Sequence, residues 1–253
     1  MLIENFTSNS NVWEVKLMKN QSYWRASIAI TCYVTLIAGI LVGSIIVGFV
    51  VLGIGADFEE LSFPISLLSL PITEGIILGI TLLFAKQKGA SLQKLGLKRP
   101  SLKTMITVSV IAIFLILLAG TISLIEEVVL GPDPLAEDLI SALLPRDSFQ
   151  LIAFIGISIF LVGPAEELAF RGFIQRGLEN SFGKMLGLLI TSILFGLLHG
   201  FNSLHAIFPV TIISLFLGYV WQKTDGNTTA CAWMHGLYDA VTITIAYMAS
   251  LYL

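Results

Sequence analysis

The sequence is short of charge. Asp, Glu, Lys and Arg make up 12% of its 253 residues, where a soluble globular domain carries about 25%, and that deficit excludes an ordinary water-soluble enzyme. The balance of 14 basic against 17 acidic residues, a net charge of -3, offers no nucleic-acid-binding surface, and no nucleic acid is expected as a partner. Cysteine is scarce too. Cys32 and Cys231 both lie in apolar stretches without CxxC spacing, which leaves no disulfide framework or zinc ribbon and makes both buried free thiols. There is no GxSxG to supply a nucleophilic serine and no HExxH to supply a zinc-protease helix. Low-complexity tails, fixed-period repeats and composition breaks are likewise missing.

What remains is apolar. Hydrophobic residues reach 56% and the mean hydropathy is +0.90, so the chain divides into membrane spans rather than soluble domains. A bilayer core about 30 Å thick takes roughly 20 apolar residues per helical crossing. The stretches 26–54, 63–85, 104–125, 149–170, 185–199, 206–221 and 229–253 meet that need, the fifth being short. These stretches predict an all-α polytopic membrane protein, a bundle of about seven or eight transmembrane helices. The first run begins at Ala26 and far exceeds a signal-peptide core of ~7–15 residues, so it reads as a retained helix. Residues 1–25 form a short segment ahead of a transmembrane domain at 26–253.

The few charges are sorted. The loop 86–103 holds Lys86, Lys88, Lys94, Lys98, Arg99 and Lys103 without an acid, whereas 55–62 holds Asp57, Glu59 and Glu60 without a base. The segment 126–148 is again acidic apart from Arg146. Lys and Arg in short loops stay on the cytoplasmic side, which predicts a cytoplasmic amino terminus and an outer carboxyl terminus.

Ionisable residues inside spans cost at least ~2.5–3.5 kcal/mol each at the helix centre, so each calls for a role. They are Glu74, then Glu166, Glu167 and Arg171, then His199, then His235 and Asp239. Glu74 stands alone on its helix and is assigned a packing or hydrogen-bonding role outside the site. At 1.5 Å per residue, Glu166 lies roughly 15 Å from Arg176, His199 roughly 22 Å from Lys184 and His235 roughly 18 Å from Lys223, placing three helices' polar residues at one level. Glu167 and Arg171 are four apart and suited to pair, while Glu166 is turned by about 100°. His235 and Asp239 are also four apart, so the acid can hold the imidazole in one tautomer. Hydrolysis by a Glu-activated water, a proton relay as in a transporter, and a structural polar network all fit these spacings. No inverted repeat is evident to support transport.

The strings Glu166-Glu167-Leu168-Ala169-Phe170-Arg171 (EExxxR), Phe195 to His199 (FxxxH) and His235 to Asp239 (HxxxD) occur in that order on successive apolar helices. Together they resemble the CPBP family of CAAX-processing and bacteriocin-processing-associated membrane proteases, over about residues 149–245. The resemblance implies a four-helix catalytic core in the carboxyl-terminal half. Within it Glu166 would be the water-activating base, His199 its partner, Glu167 and Arg171 a supporting ion pair, and His235 a second contact to the water or oxyanion. Asp239 stands where many relatives carry Asn, and an ionised Asp cannot donate to an oxyanion. A divalent metal such as zinc is left open as a cofactor, with Glu166, His199, His235 and Asp239 as its candidate ligands. The implied activity is an intramembrane endopeptidase, CAAX-prenyl-protease-like and of glutamate or metallo type. Its partners would be the bilayer and a membrane-associated or lipidated peptide, prenylated or bacteriocin-related, and its location the bacterial plasma membrane. The alternative is a non-catalytic bacteriocin-immunity or membrane-signalling scaffold of the same fold.

Overall fold

A computed structural model describes residues 24–53 and 58–252. The expected amino-terminal segment, apart from Trp24 and Arg25, lies outside the described residues, as do Asp57 and the side chains of Glu59 and Glu60. The described chain is helical, with no strand among the described residues. The long helices are α1 (Ala26–Gly53), α2 (Phe58–Gln87) and α3 (Leu102–Leu130), followed by the short α4 (Pro134–Leu143). A helical run then extends from Ser148 to His199, comprising α5 (Ser148–Ile157), α6 (Gly163–Glu167) and α7 (Arg176–His199) with two π-helical segments between them. The carboxyl-terminal helices are α8 (Ile207–Lys223) and α9 (Thr228–Ser250).

The outer faces of these helices are apolar. Phe49, Leu117, Val128 and Phe160 are each more than two-thirds exposed, a surface that water would not tolerate over this extent but lipid does. Five helices are long and apolar enough to cross a membrane: Ala26–Gly53, Ser69–Gln87, Leu102–Leu130, Ser148–His199 and Leu204–Lys223. The last expected span, α9, is not among them, because His235 and Asp239 dilute its hydropathy.

The fourth and fifth expected spans form the single run Ser148–His199, and Gly183 is what divides it. Its backbone lies at φ 80°, ψ 168°, a region that essentially only glycine occupies. The chain reverses there. Phe170, thirteen residues before Gly183, packs edge-on against Phe195, twelve residues after it, with ring centroids 4.6 Å apart. The two limbs are therefore antiparallel and carry their aromatic residues to the same height.

Polar links gather the basic segments at one end of the bundle. Ala26 N donates to Ser181 Oγ at 2.8 Å, Lys98 Nζ to the Asp225 carbonyl at 2.7 Å, and Gln222 Nε2 to the Lys184 carbonyl at 2.9 Å. The basic loop is further fixed by Thr228, whose N–H donates to the Gly96 carbonyl at 2.9 Å and whose hydroxyl donates to the Leu95 carbonyl at 2.6 Å. At the other end, Ser203 Oγ donates to Asp133 Oδ2 at 2.6 Å, joining the turn before α8 to the loop before α4. Association of helices in lipid gains no hydrophobic term, so packing and such polar links carry it.

Candidate active site

Pro164 lacks the N–H of a regular helix, and its ring would crowd the preceding turn. The chain meets this by widening rather than breaking. Ser158–Val162 is π-helical, and the Gly163 N–H donates to the Ser158 carbonyl five residues back. A second π segment, Leu168–Gln175, follows α6. Such bulges shift the phase of side chains and recur at functional sites. Here they bracket Glu166 and Glu167.

Close backbone contact brings α9 to that point. A Cβ on Gly163 would collide with the Ala232 carbonyl, and one on Gly236 would come within 2.6 Å of the Ser158 carbonyl and 2.7 Å of Ile159 Cα. With no side chain at either position, α6 and α9 meet backbone to backbone, and His235 is carried onto the acid pair. His235 Nδ1–H donates to Glu167 Oε1 at 2.9 Å. Its Nε2 lies 3.8 Å from Glu166 Oε2 and 3.6 Å from Asp239 Oδ2. The two neighbouring glutamates thus face opposite nitrogens of one imidazole. Glu166 and His235 are buried, while the Asp239 side chain remains 26% exposed.

Arg171 is fully buried and held at both Nη atoms, with Nε left without a partner among the described residues. Its Nη1 donates to Glu167 Oε1 at 2.9 Å, its Nη2 to Ser214 Oγ at 2.8 Å and the Ser214 carbonyl at 3.1 Å, and its guanidinium lies 4.8 Å over the Phe195 ring. A buried charge is tolerable when paired and hydrogen-bonded in this way. The link continues down the helix pair, as Gln175 Nε2 donates to the Gly218 carbonyl at 3.3 Å and Gln222 Nε2 to Glu179 Oε1 at 2.7 Å. Positions 171, 175 and 179 therefore match 214, 218 and 222, a register fixed by polar groups.

His199 approaches through Phe195. Its ring centroid lies 4.7 Å from that of Phe195, and the His235 centroid lies 5.9 Å from the same ring. The Phe195 carbonyl can only accept, so the 3.0 Å contact with His199 Nδ1 is an Nδ1–H donor bond. In the neutral imidazole, Nε2 is then the free basic nitrogen. The imidazole in ion-pair range of Glu166 is nevertheless that of His235.

The structure thus brings Glu166, Glu167, Arg171, His235 and Asp239 together, with His199 joined by the shared phenyl platform. Sequence spacing did not assign a role to Phe195 or Ser214, because their contacts depend on the reversal at Gly183 and the register of α8. The open groove of about 420 Å³ lined by Met105, Ser109, Trp233 and Leu237 lies across α9 from the site. Trp233 and Leu237 are each two residues from His235, about 200° around the helix.

The candidate metal ligands do not fit a metal centre. Among the described residues no group of three or more His, Cys, Asp or Glu side chains converges in a way that could hold an ion. The metallo reading of the site therefore lacks support from its own residues.

Residues 148–241 match the family model described as type II CAAX prenyl endopeptidase, Rce1-like. This stretch is similar to that family, in keeping with the CPBP resemblance of its motifs. It holds the site residues of the CPBP motifs, from Glu166 to Asp239, together with the hairpin and α8 that orient them. An uncharacterized protein of Mycoplasma capricolum subsp. capricolum is 28% identical over 104 residues, which is 41% of this chain. The matched part spans about 30% of that relative's length. No solved structure matches the chain.

Proposed function

We propose that the protein is an intramembrane endopeptidase that hydrolyses a peptide bond of a membrane-associated substrate through a glutamate-activated water. The observation that carries this reading is the convergence of the EExxxR acids and the HxxxD histidine on one buried point, with Glu166 Oε2 left without a hydrogen-bond partner among the described residues. A buried carboxylate oxygen without a donor is a natural receiver of a water proton. Glu166 takes a proton from water as the hydroxide oxygen bonds to the scissile carbonyl carbon. The Nε2–H of His235 in its doubly protonated form stabilises the oxygen that becomes negative, while His199 Nε2, the free basic nitrogen, accepts the water's second hydrogen. The C–N bond then breaks as Glu166 returns its proton to the leaving nitrogen.

Glu167 and Arg171 act through His235, fixing its ring from the Nδ1 side. Asp239 holds the Nε2 side. The substrate reading follows from the family: a lipidated peptide of the prenylated CAAX type, or a bacteriocin-related peptide, reaching the site from the bilayer. The sorted basic end supports a cytoplasmic amino terminus, and the membrane in this reading is a bacterial plasma membrane.

The test is cleavage of membrane-anchored and prenylated peptides by purified protein in liposomes, comparing wild type with Glu166→Gln and His199→Ala. Loss of cleavage in folded variants is the expected result. Unchanged processing in both would transfer the fold to the scaffold reading, in which binding of a partner survives the same substitutions.

A further inference from the structure

Glu74 is 3% exposed, and it sits in α2, outside the family-matched stretch 148–241. The buried residues Glu74, Ile77, Thr81 and Ala85 recur at helical spacing and form the inward stripe of α2. Leu82 and Leu83 are exposed on the other side. Ile77, one turn from Glu74, belongs to the same core cluster as Ala165, Leu168, Ala169 and Phe170, the residues on either side of the glutamate pair. Thirteen residues separate Glu74 from Gln87 at the basic end, roughly 20 Å of helix, against roughly 22 Å from Lys184 to His199. Glu74 therefore faces inward at the height of the site.

Its surroundings are those of a site residue. The helix that carries it packs against α6 and both π-helical segments, which brings Glu74 within electrostatic range of Glu166, His235 and Asp239. Both Glu74 Oε2 and Glu166 Oε2 are buried without a hydrogen-bond partner among the described residues. A polar group placed only for packing is ordinarily satisfied by nearby backbone, as Thr81 is by the Ile77 carbonyl at 2.7 Å. Glu74 instead keeps an unsatisfied oxygen buried on the face of α2 that packs against the segment holding the glutamate pair.

We infer that Glu74 is a positioning residue of this site, holding the Glu166 carboxylate in place through one bridging water that donates to both. The role rests on the hydrolytic reading of Glu166. It makes the site a product of both halves of the chain, so the family-matched stretch alone would lack one wall.

The test is a double-mutant cycle on the full chain in detergent, with Glu74→Gln and Glu166→Gln singly and together. Heat-unfolding midpoints are read first, since they need no substrate. Two groups acting as a unit give a double variant that departs from the sum of the singles by about 2–4 °C. Thr81→Val, two turns along the same stripe, is expected to combine additively with Glu166→Gln. Additive midpoints for Glu74 and Glu166 would overturn the inference whether or not the protein cleaves peptides. In a cleaving preparation Glu74→Leu lowers kcat by about tenfold or more with little change in KM, and Glu74→Gln, which keeps an acceptor for that water, recovers part of it. Equal kcat in wild type and Glu74→Leu would also overturn it. Undiminished cleavage by Glu166→Gln would instead sink the hydrolytic reading and leave the stability cycle to decide the contact.

Discussion

Glu167 Oε1 receives two buried donors at once: His235 Nδ1 at 2.9 Å and Arg171 Nη1 at 2.9 Å. One carboxylate oxygen thereby ties the π-helical segment after α6 to α9, and through Arg171 and Ser214 to α8. Glu167 is the structural centre of the site, while no hydrogen bond among the described residues holds Oε2 of its neighbour Glu166.

Removal of that carboxylate strands a guanidinium. Arg171 would keep Ser214 and the Phe195 ring but lose Glu167, its one ion-pair partner among the described residues, in a place with no access to water. Breaking one side of a buried pair typically costs about 3–5 kcal/mol. Glu167→Ala is expected to lose stability on that scale, measured by denaturant unfolding in detergent. Arg171→Lys should not restore the fit, because a single ammonium cannot reach Glu167 and Ser214 in the forked geometry.

Gly183 gives a cleaner backbone test. A Cβ there meets nothing within 4 Å, so steric crowding predicts no cost for Gly183→Ala. The φ of 80° and ψ of 168° predict otherwise, since a non-glycine residue held in that region costs about 1–3 kcal/mol. Unfolding measurements should show a loss in that range. Because the turn sets Phe195 opposite Phe170, cleavage should fall further than stability alone explains.

Much of this was legible in the sequence. The apolar runs marked the helices, the charge sorting marked the two ends, and the four-residue spacings marked the Glu167–Arg171 and His235–Asp239 contacts, because each is local to one helix. Contacts across helices were harder. Gly39 and Gly43 do pack against Ile76 and Ile80, and Gly196 packs against Ile207 and Thr211, whereas Gly75 and Gly79 face open space. A small-residue pair signals that close approach is permitted, and says nothing of whether a neighbour arrives. Glu74 shows the same limit from the polar side. Its cost in an apolar helix was visible, but its direction depends on how α2 docks against α6, which no local pattern encodes. The π-helical accommodation of Pro164 likewise depends on the packing of Gly163 on Gly236, which no local pattern encodes.

The acidic end of the bundle supplies a pH prediction. The Ser203 hydroxyl beside Asp133 holds its carboxyl below the usual carboxylate range, aided by the backbone N–H groups of His205, Leu135 and Ala136. A carboxyl lowered in the folded state contributes stability above its unfolded value, about pH 3.9, and loses it as pH falls through the lowered folded value. Ser203→Ala should flatten that acid-side dependence while leaving neutral-pH cleavage unchanged. Hydrogen exchange at residues 203–206, followed between neutral and acidic pH, is the direct readout.

The last prediction concerns Asp239, the residue that departs from the Asn of many relatives. Its carboxylate lies 3.6 Å from His235 Nε2, and that nitrogen is also 3.8 Å from Glu166 Oε2, so Asp239 and Glu166 draw on the same imidazole face. If Asp239 serves by accepting from Nε2–H, an Asn carbonyl oxygen can do the same, and its amide adds a donor for an oxyanion. Asp239→Asn is therefore expected to keep kcat within about threefold of wild type, while Asp239→Ala, which leaves Nε2 with Glu166 alone, drops it by about a hundredfold. The comparison is made by kcat and KM on one anchored peptide. An Asn variant as inactive as the Ala variant would mean that the negative charge itself is required, and that this site balances His235 with an anion where its relatives use an amide.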